Sequence, residues 1–172
     1  WSAEAAQQLT ALTREEEVVA IGEIGMDAVA GPALDEQEVV FREQLKIAVD
    51  AGLPVLLHSR KTTGRMMDIL RELEVGKKVG GIWHGFSGSV QIAQELVAFG
   101  FKIGIGPILL RESARKLPQA VLELPAESFV LETDAPDMIA GPEGLIQVAE
   151  KLSELKGWTL EKSKQITNAN AR

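Results

Sequence analysis

The sequence predicts an α/β fold with a parallel sheet, in the form of part of an α/β barrel. Helical and strand-like segments alternate along the chain, and the strand-like segments are continuous apolar runs. Strands of that kind are covered on both faces, which is typical of parallel sheets. Polar residues suited to a metal site follow four of the five strands, namely Glu23, His58, His84 and Asp134. Side chains at the carboxyl ends of parallel strands converge at the mouth of a barrel, so we expect these four to meet there.

The first half of the chain is predicted to form a helix followed by strand–helix repeats. β-Branched residues punctuated by glycine indicate the first strand, and Phe41, Leu45 and Ala48 have the spacing of one helical face before a stop at Gly52. The third helix is expected to bury Met66, Ile69, Leu70 and Leu73. The predicted elements are a helix over Ser2–Leu12, a strand over Val18–Gly25, a helix over Asp35–Asp50, a strand over Leu53–His58, a helix over Thr63–Leu73 and a strand over Gly80–His84.

The second half continues the same alternation. Gly100 ends the first of its helices, and Pro118 is expected to interrupt the second, because proline breaks helical hydrogen bonding. The predicted elements are a helix over Ser89–Phe99, a strand over Phe101–Ile105, a helix over Arg111–Leu124, a strand over Ser128–Glu132, and helices over Leu145–Lys156 and Leu160–Asn170. The turn-rich segment Pro136–Gly144 is expected to be a loop within the domain and not a linker.

Length and strand count favour one domain, residues 1–172, that forms part of a barrel. A doubly wound sheet could hold five strands, but its ligand site would lie at a single switch point. Four candidate residues at four strand ends suit a barrel mouth better. Five strands do not close a barrel of eight, so we expect roughly three strands to be absent from the start of this stretch.

Composition excludes several classes of function. The net charge of −7 argues against broad, sequence-independent binding to nucleic acid, although an active site can still bind one phosphodiester. The chain has no cysteine, so a metal would be held by nitrogen and oxygen ligands, and a cytoplasmic location is expected. It has no apolar stretch of about 20 residues and no signal-peptide pattern at its start. We therefore expect no membrane association. No obligate protein partner is evident from the sequence.

Two of the candidate residues are acids. Glu23 lies between Gly22 and Gly25, which let the backbone pass close to a neighbour while the carboxylate reaches a cation; the alternative is a strand-end glutamate that pairs with a lysine or caps a helix. Asp134 lies among three acids in six residues that would repel one another without a counterion or exposure to water. We favour it as a ligand over Glu132 and Asp137 because it lies just past the strand.

The other two are the only histidines of the chain. His58 leads into Ser59–Arg65, whose three cations and three hydroxyls could bind a phosphate by charge-assisted hydrogen bonds; a solvated helix start is the alternative. His84 leads into a tight turn whose amides could face a ligand. Ser89 in that turn is also expected to cap the next helix.

Four motifs resemble successive signatures of the TatD-like deoxyribonucleases, which are metal-dependent hydrolases on a TIM (β/α)8 barrel within the amidohydrolase superfamily. The motifs are Ala20–Asp27 (AIGEIGMD), Pro54–Arg60 (PVLLHSR), His84–Gly88 (HGFSG) and Leu131–Pro136 (LETDAP). The resemblance runs from Val18 to about Asp137 in the family's order. The tail Thr167–Asn170 also resembles the family's closing helix.

The resemblance implies a site with two divalent metal ions, zinc, magnesium or manganese. Glu23 would bridge the two metals, His58 and His84 would bind one, and Asp134 would bind the other. Asp134 would also act as the catalytic residue that accepts a proton from the attacking water. Arg60 would contact the substrate near its phosphate, and the substrate would be DNA or another phosphodiester.

The sequence departs from the family's pattern at one place that matters. The family's first strand has a His-x-His pair that completes the first metal site, and nothing here corresponds to it. The segment after Asp137 is also shorter than the family's usual loop. This stretch by itself is therefore expected to be an incomplete barrel and not a competent enzyme.

Three hypotheses of function follow. The first is a metal-dependent hydrolase of phosphodiester bonds, namely a deoxyribonuclease. The second is a metal-dependent hydrolase of amidohydrolase type that cleaves an ester, lactone or amide bond instead, because a fold does not fix the substrate. The third is a non-catalytic partial barrel that binds a partner, which gains weight if the His-x-His pair is truly absent.

Overall fold

The computed structural model describes all residues from 1 to 172 and shows an α/β fold with eight α-helices and five β-strands. The chain divides into two compact units, Trp1–Ile82 and Trp83–Arg172. The strand pairs described in each unit are parallel, as predicted. None of the eight helices combines the length and the apolar character that a membrane span requires.

The first unit follows the predicted order of elements. Ser2 caps α1 by accepting a hydrogen bond from the Ala5 amide, and α2 ends at Gly52, whose φ of 68° is left-handed. A short helix, α4, was not predicted. The elements are α1 (Ala3–Leu12), β1 (Ile21–Asp27), α2 (Leu34–Ala51), β2 (Val55–Arg60), α3 (Thr63–Glu72), α4 (Val75–Lys78) and the start of β3 (Gly81–Trp83), which contains the boundary between the units.

The core of the first unit forms where α2 and α3 bury the apolar faces that the spacing predicts. Phe41, Leu45 and Ala48 of α2 are fully buried, and so are Val55 and Leu57 of β2. From α3, the buried side chains include Met66, Ile69 and Leu70. Leu73 is only half-buried, because α3 ends at the residue before it.

The predicted limits of two strands in this unit are wrong. β1 begins at Ile21 and continues to Asp27, and β2 continues past His58 to Arg60. The register explains the shift in β1. Ile21 pairs with Val55 and Ile24 with Leu57, so three residues of β1 advance against two of β2. Glu23 therefore lies in a bulge inside the strand and not at its end.

The second unit contains the rest of the repeats. Its elements are the end of β3, α5 (Val90–Ala98), β4 (Phe101–Ile105), α6 (Lys116–Glu123), β5 (Phe129–Leu131), α7 (Leu145–Lys156) and α8 (Leu160–Asn170), with short 3₁₀ turns at Pro107–Leu110, Ala126–Ser128 and Pro142–Gly144. β4 and β5 are parallel, with Ile103 opposite Phe129. Its largest fully buried side chains are Phe86, Leu96, Phe101, Ile103 and Phe129.

The predicted helix Arg111–Leu124 is wrong in its start and in the role of its proline. α6 begins at Lys116, so Pro118 lies in its first turn, where no intrahelical hydrogen bond is lost. The proline therefore belongs to the start of the helix and does not interrupt it.

The two closing helices match the predicted limits, and polar contacts hold them in place. The hydroxyls of Ser153 and Ser163 are buried and 2.7 Å apart, which joins α7 to α8. At the end of α8, the Asn170 side chain donates to the carbonyls of Ala126 and Phe129. The tail thereby holds the segment that leads into β5.

Candidate metal centre

In the first unit, the structure brings together two predicted ligands, Glu23 and His58. Nδ1 of His58 is 3.5 Å from Oε2 of Glu23. The His58 side chain is 39% exposed and the Glu23 side chain 48% exposed, so both reach solvent from their paired strands. An imidazole nitrogen beside a carboxylate oxygen is a donor pair that divalent transition metals accept.

Glycine makes this close pairing of strands possible. Gly25 is opposite His58 in the register, with a φ of 153°, and a Cβ there would overlap the His58 carbonyl. A Cβ at Gly22 would likewise overlap the Leu56 side chain. The predicted close approach of the backbone to a neighbour is confirmed, and that neighbour is β2.

Asp27 is a second acid near His58, and the sequence prediction missed it. Its Oδ2 is 3.8 Å from Nε2 of His58 and 3.9 Å from Nη1 of Arg60. Its Oδ1 accepts hydrogen bonds from the amides of Val29 and Ala30 at 2.7 and 3.1 Å. The Val29 hydrogen bond in particular holds the pKa of Asp27 below its ordinary value, so the carboxylate stays ionised. Asp27 is the true last residue of β1, which is the signal that could have identified it.

Gln37 of α2 fixes the loop that follows Asp27. Its side-chain carbonyl accepts from the Asp27 amide at 2.7 Å, and its amide group lies within hydrogen-bond distance of the carbonyls of Asp27, Ala30 and Pro32. Glu23, Asp27, Gln37 and His58 all line an open cleft of about 580 Å³ in this unit. The carboxylates and the imidazole thus face a space that a small ligand could enter.

The predicted phosphate-binding cluster after His58 is largely structural. Arg65 donates to Asp35 at 2.6 Å and to Glu38 at 2.5 Å. The buried Thr62 hydroxyl donates to the Met26 carbonyl. The Ser59 hydroxyl is 3.1 Å from the Thr62 hydroxyl. These contacts correct the expectation that all three cations and hydroxyls could face a phosphate. Arg60, 58% exposed at the end of β2, is left as the candidate substrate contact.

In the second unit, the structure brings His84 together with Asp134. β3 ends at Trp83, so His84 directly follows the strand instead of closing it as predicted. Nε2 of His84 is 3.8 Å from Oδ1 of Asp134. Asp134 lies three residues past β5, with a left-handed φ of 53°. Ser89 caps α5 by accepting from the Ile92 amide, so that prediction is confirmed.

Glu132 has a role that the sequence prediction did not assign. Its Oε2 is 2.9 Å from Nδ1 of His84, and its Oε1 accepts from the Gly85 amide at 2.7 Å. A histidine with one nitrogen held by a carboxylate is the usual arrangement of a metal ligand in proteins. The oxygen and nitrogen donors in each unit therefore fit a hard or borderline divalent cation.

Comparison with known proteins identifies the family. The sequence profile described as TatD related DNase matches residues 1–172. The chain belongs to this family. The predicted resemblance, which rested on four short motifs, is confirmed over the whole chain.

Individual relatives give the same result. The "Uncharacterized metal-dependent hydrolase YabD" of Bacillus subtilis is 35% identical over 170 residues, covering 94% of this chain and 66% of that protein. The "3'-5' ssDNA/RNA exonuclease TatD" of a Pantoea strain is 40% identical over 138 residues, covering 79% and 53%. The crystal structure of YjjV, a TatD homologue from Escherichia coli, superposes with a TM-score of 0.91 at 35% identity, covering 99% of this chain and 70% of that one.

The TatD relatives share the fold of this chain and are longer than it. The α/β fold with a parallel sheet is that of the TatD family, as predicted. The chain spans about half to two thirds of the length of the curated relatives.

Proposed function

We propose that the protein containing this chain is a divalent-metal-dependent hydrolase that cleaves phosphodiester bonds in nucleic acid, DNA in particular. The observation that supports this most directly is the TatD family match over residues 1–172. Relatives named as metal-dependent hydrolases and as a 3'-5' ssDNA/RNA exonuclease support the bond type. A cytoplasmic location is proposed on the absence of cysteine alone.

The proposed metal ligands are Glu23, His58, His84 and Asp134, which would hold two divalent ions. Support comes from each unit separately. Glu23 and His58 place a carboxylate oxygen and an imidazole nitrogen 3.5 Å apart, and His84 and Asp134 do so at 3.8 Å. Bound metal ions would lower the pKa of a water and stabilise charge on the phosphoryl oxygens.

The chain's own residues would supply the remaining steps. Asp134, a half-exposed carboxylate, would accept the proton of the attacking water. Arg60 would bind the substrate phosphate through its guanidinium, which Asp27 restrains from 3.9 Å away. Lys61, which follows β2 in an exposed position, would add positive charge at the same strand end.

The test uses the intact protein and a 3'-labelled single-stranded DNA oligonucleotide. Chelation should abolish cleavage, and magnesium, manganese or zinc should restore it. His58→Ala and Asp134→Ala should lower the cleavage rate by orders of magnitude while the circular dichroism spectrum is unchanged. Glu127→Gln, an exposed acid before β5, is the control and should retain the wild-type rate.

Model esters and lactones in the same assay separate the proposal from its alternatives. Hydrolysis of those compounds without cleavage of the oligonucleotide would replace the nuclease by a hydrolase of another bond. Near-normal cleavage by either alanine variant would contradict the ligand assignment.

A further inference from the structure

We infer that Glu132 is the positioning residue that orients His84 as a metal ligand, an inference that rests on the proposed function. His84 and Glu132 belong to the same unit and lie 48 positions apart in sequence. Glu132 would make no direct contact with metal or substrate. Its role would be to fix which imidazole nitrogen bears the proton.

The first observation is that both carboxylate oxygens of Glu132 have a partner on the His84 turn. Oε2 is 2.9 Å from Nδ1 of His84, and Oε1 accepts from the Gly85 amide at 2.7 Å. Both distances lie in the range of charge-assisted hydrogen bonds. Two contacts to adjacent residues prevent the carboxylate from rotating, so the imidazole ring is held in one orientation.

The second observation is that the chain makes room for this carboxylate. A Cβ at Gly104 would lie 2.5 Å from Oε2 of Glu132, and a Cβ at Gly106 would lie 3.2 Å from Oε1. Gly104 lies in β4, and Gly106 directly follows that strand. Any larger residue at Gly104 would push Glu132 away from His84, so the position of Glu132 depends on this strand.

The third observation is burial. The side chains of His84 and Glu132 are 15% and 18% exposed, which shields their hydrogen bond from water. A carboxylate beside Nδ1 stabilises the proton on that nitrogen, and the lone pair then lies on Nε2. Nε2 is the nitrogen that faces Asp134, 3.8 Å from its Oδ1. The geometry therefore directs the lone pair of His84 toward the other proposed ligand of this unit.

The test compares Glu132→Ala and Glu132→Gln with wild type and with the control Glu127→Gln in the intact protein. Calorimetric titration with zinc should show roughly a 10- to 100-fold weaker affinity for the alanine variant, the usual effect of removing such a partner. The glutamine variant keeps an acceptor for Nδ1–H and should recover part of the affinity. Gly104→Ala should weaken zinc binding in the same direction.

A second readout does not depend on metal or activity. Nitrogen-15 NMR of the metal-free protein, with the His84 signal assigned by its loss in His84→Gln, reports the tautomer. Wild type should show the proton on Nδ1, and Glu132→Ala should shift the population toward Nε2. A merely structural role for Glu132 would leave this ratio unchanged.

The outcomes separate this inference from the proposed function. Zinc affinity and tautomer that are both unaffected in Glu132→Ala would overturn the inference, whatever the protein hydrolyses. If the two readouts change as expected while wild type cleaves no phosphodiester, the positioning role stands and the nuclease proposal fails.

Discussion

At the scale of the residue, the chemistry of the candidate site depends on where small residues allow close approach. His84 and Asp134 could be located from sequence because each lies just past a strand. Glu23 was also predicted, but its position in a bulge was not. Asp27 was missed because the bulge moves the strand end several residues further along and leaves no clear periodic signal. The pairing of Glu132 with His84 joins positions 48 apart, which no local pattern specifies.

Gly25 offers a direct test of this close packing. Alanine at Gly25 would meet the His58 carbonyl in a backbone conformation that L residues rarely adopt, so Gly25→Ala should lower the free energy of unfolding by about 3 kcal/mol or more. Gly64→Ala is the matched control. Gly64 lies in α3 with open space around it, so alanine there should raise stability by about 0.5–1 kcal/mol. Urea denaturation measures the free energy of unfolding of both variants. Equal changes in the two variants would contradict the assigned register of β1 and β2.

At the scale of the element, ion pairs between α2 and α3 explain why the predicted phosphate cluster is incomplete. Glu38 of α2 accepts from Arg42 at 2.7 Å and from Arg65 of α3 at 2.5 Å. Arg65 also pairs with Asp35, and Arg42 with Glu72. The cations that the sequence placed after His58 were judged from their position in the chain. Of these cations, Arg65 pairs with Glu38 and Asp35, which lie 27 and 30 residues away and become visible as partners only in the folded unit.

This network predicts a pH-dependent contribution to stability. The hydrogen bond from Arg42 and that from Arg65 hold the pKa of Glu38 below its ordinary value of 4.5. A carboxyl with a lowered folded pKa stabilises the fold above its unfolded pKa, and that stability is lost as the pH falls through the folded value. Glu38→Gln should therefore cost about 1 kcal/mol at pH 7 and less at pH 3.

Chemical denaturation at the two pH values measures this difference, with exposed Glu36→Gln of the same helix as the control. A cost for Glu38→Gln that is the same at both pH values would mean that charge is not its cause.

Predicted and observed helix limits agree where the sequence contains a local capping signal. The closing helices α7 and α8 match because Gly157 ends α7 with a φ of 63° and Thr159 caps α8, both recognisable locally. α6 was misplaced because Arg111–Arg115 has helix-forming composition, yet the chain turns there before Lys116. Four of its five residues are exposed and the Ala114 amide donates to the Arg111 carbonyl, so a local turn forms where the composition predicts a helix.

At the scale of the whole molecule, family membership and the donor chemistry of each unit support the same account. The chain belongs to the TatD family, and its two histidines each lie near a carboxylate. That the residues 1–172 act as one hydrolase domain remains a prediction. So does a site composed of all four proposed ligands.

Metal binding should stabilise the intact protein. A ligand that binds only the folded state adds about 2.7 kcal/mol at a free concentration 100 times its Kd. Thermal denaturation of the chelated protein should therefore show a higher Tm when zinc or manganese is added. His84→Ala should reduce this shift and Glu127→Gln should not; a Tm that metal leaves unchanged would argue against a metal centre.

The central claim is that Glu23, His58, His84 and Asp134 hold divalent metal ions. The most direct test is a crystal structure of the intact protein with manganese, with anomalous diffraction recorded at the manganese edge. We expect anomalous peaks within bonding distance of Glu23, His58, His84 and Asp134. Peaks confined to other residues, or a map without peaks at saturating manganese, would contradict the account.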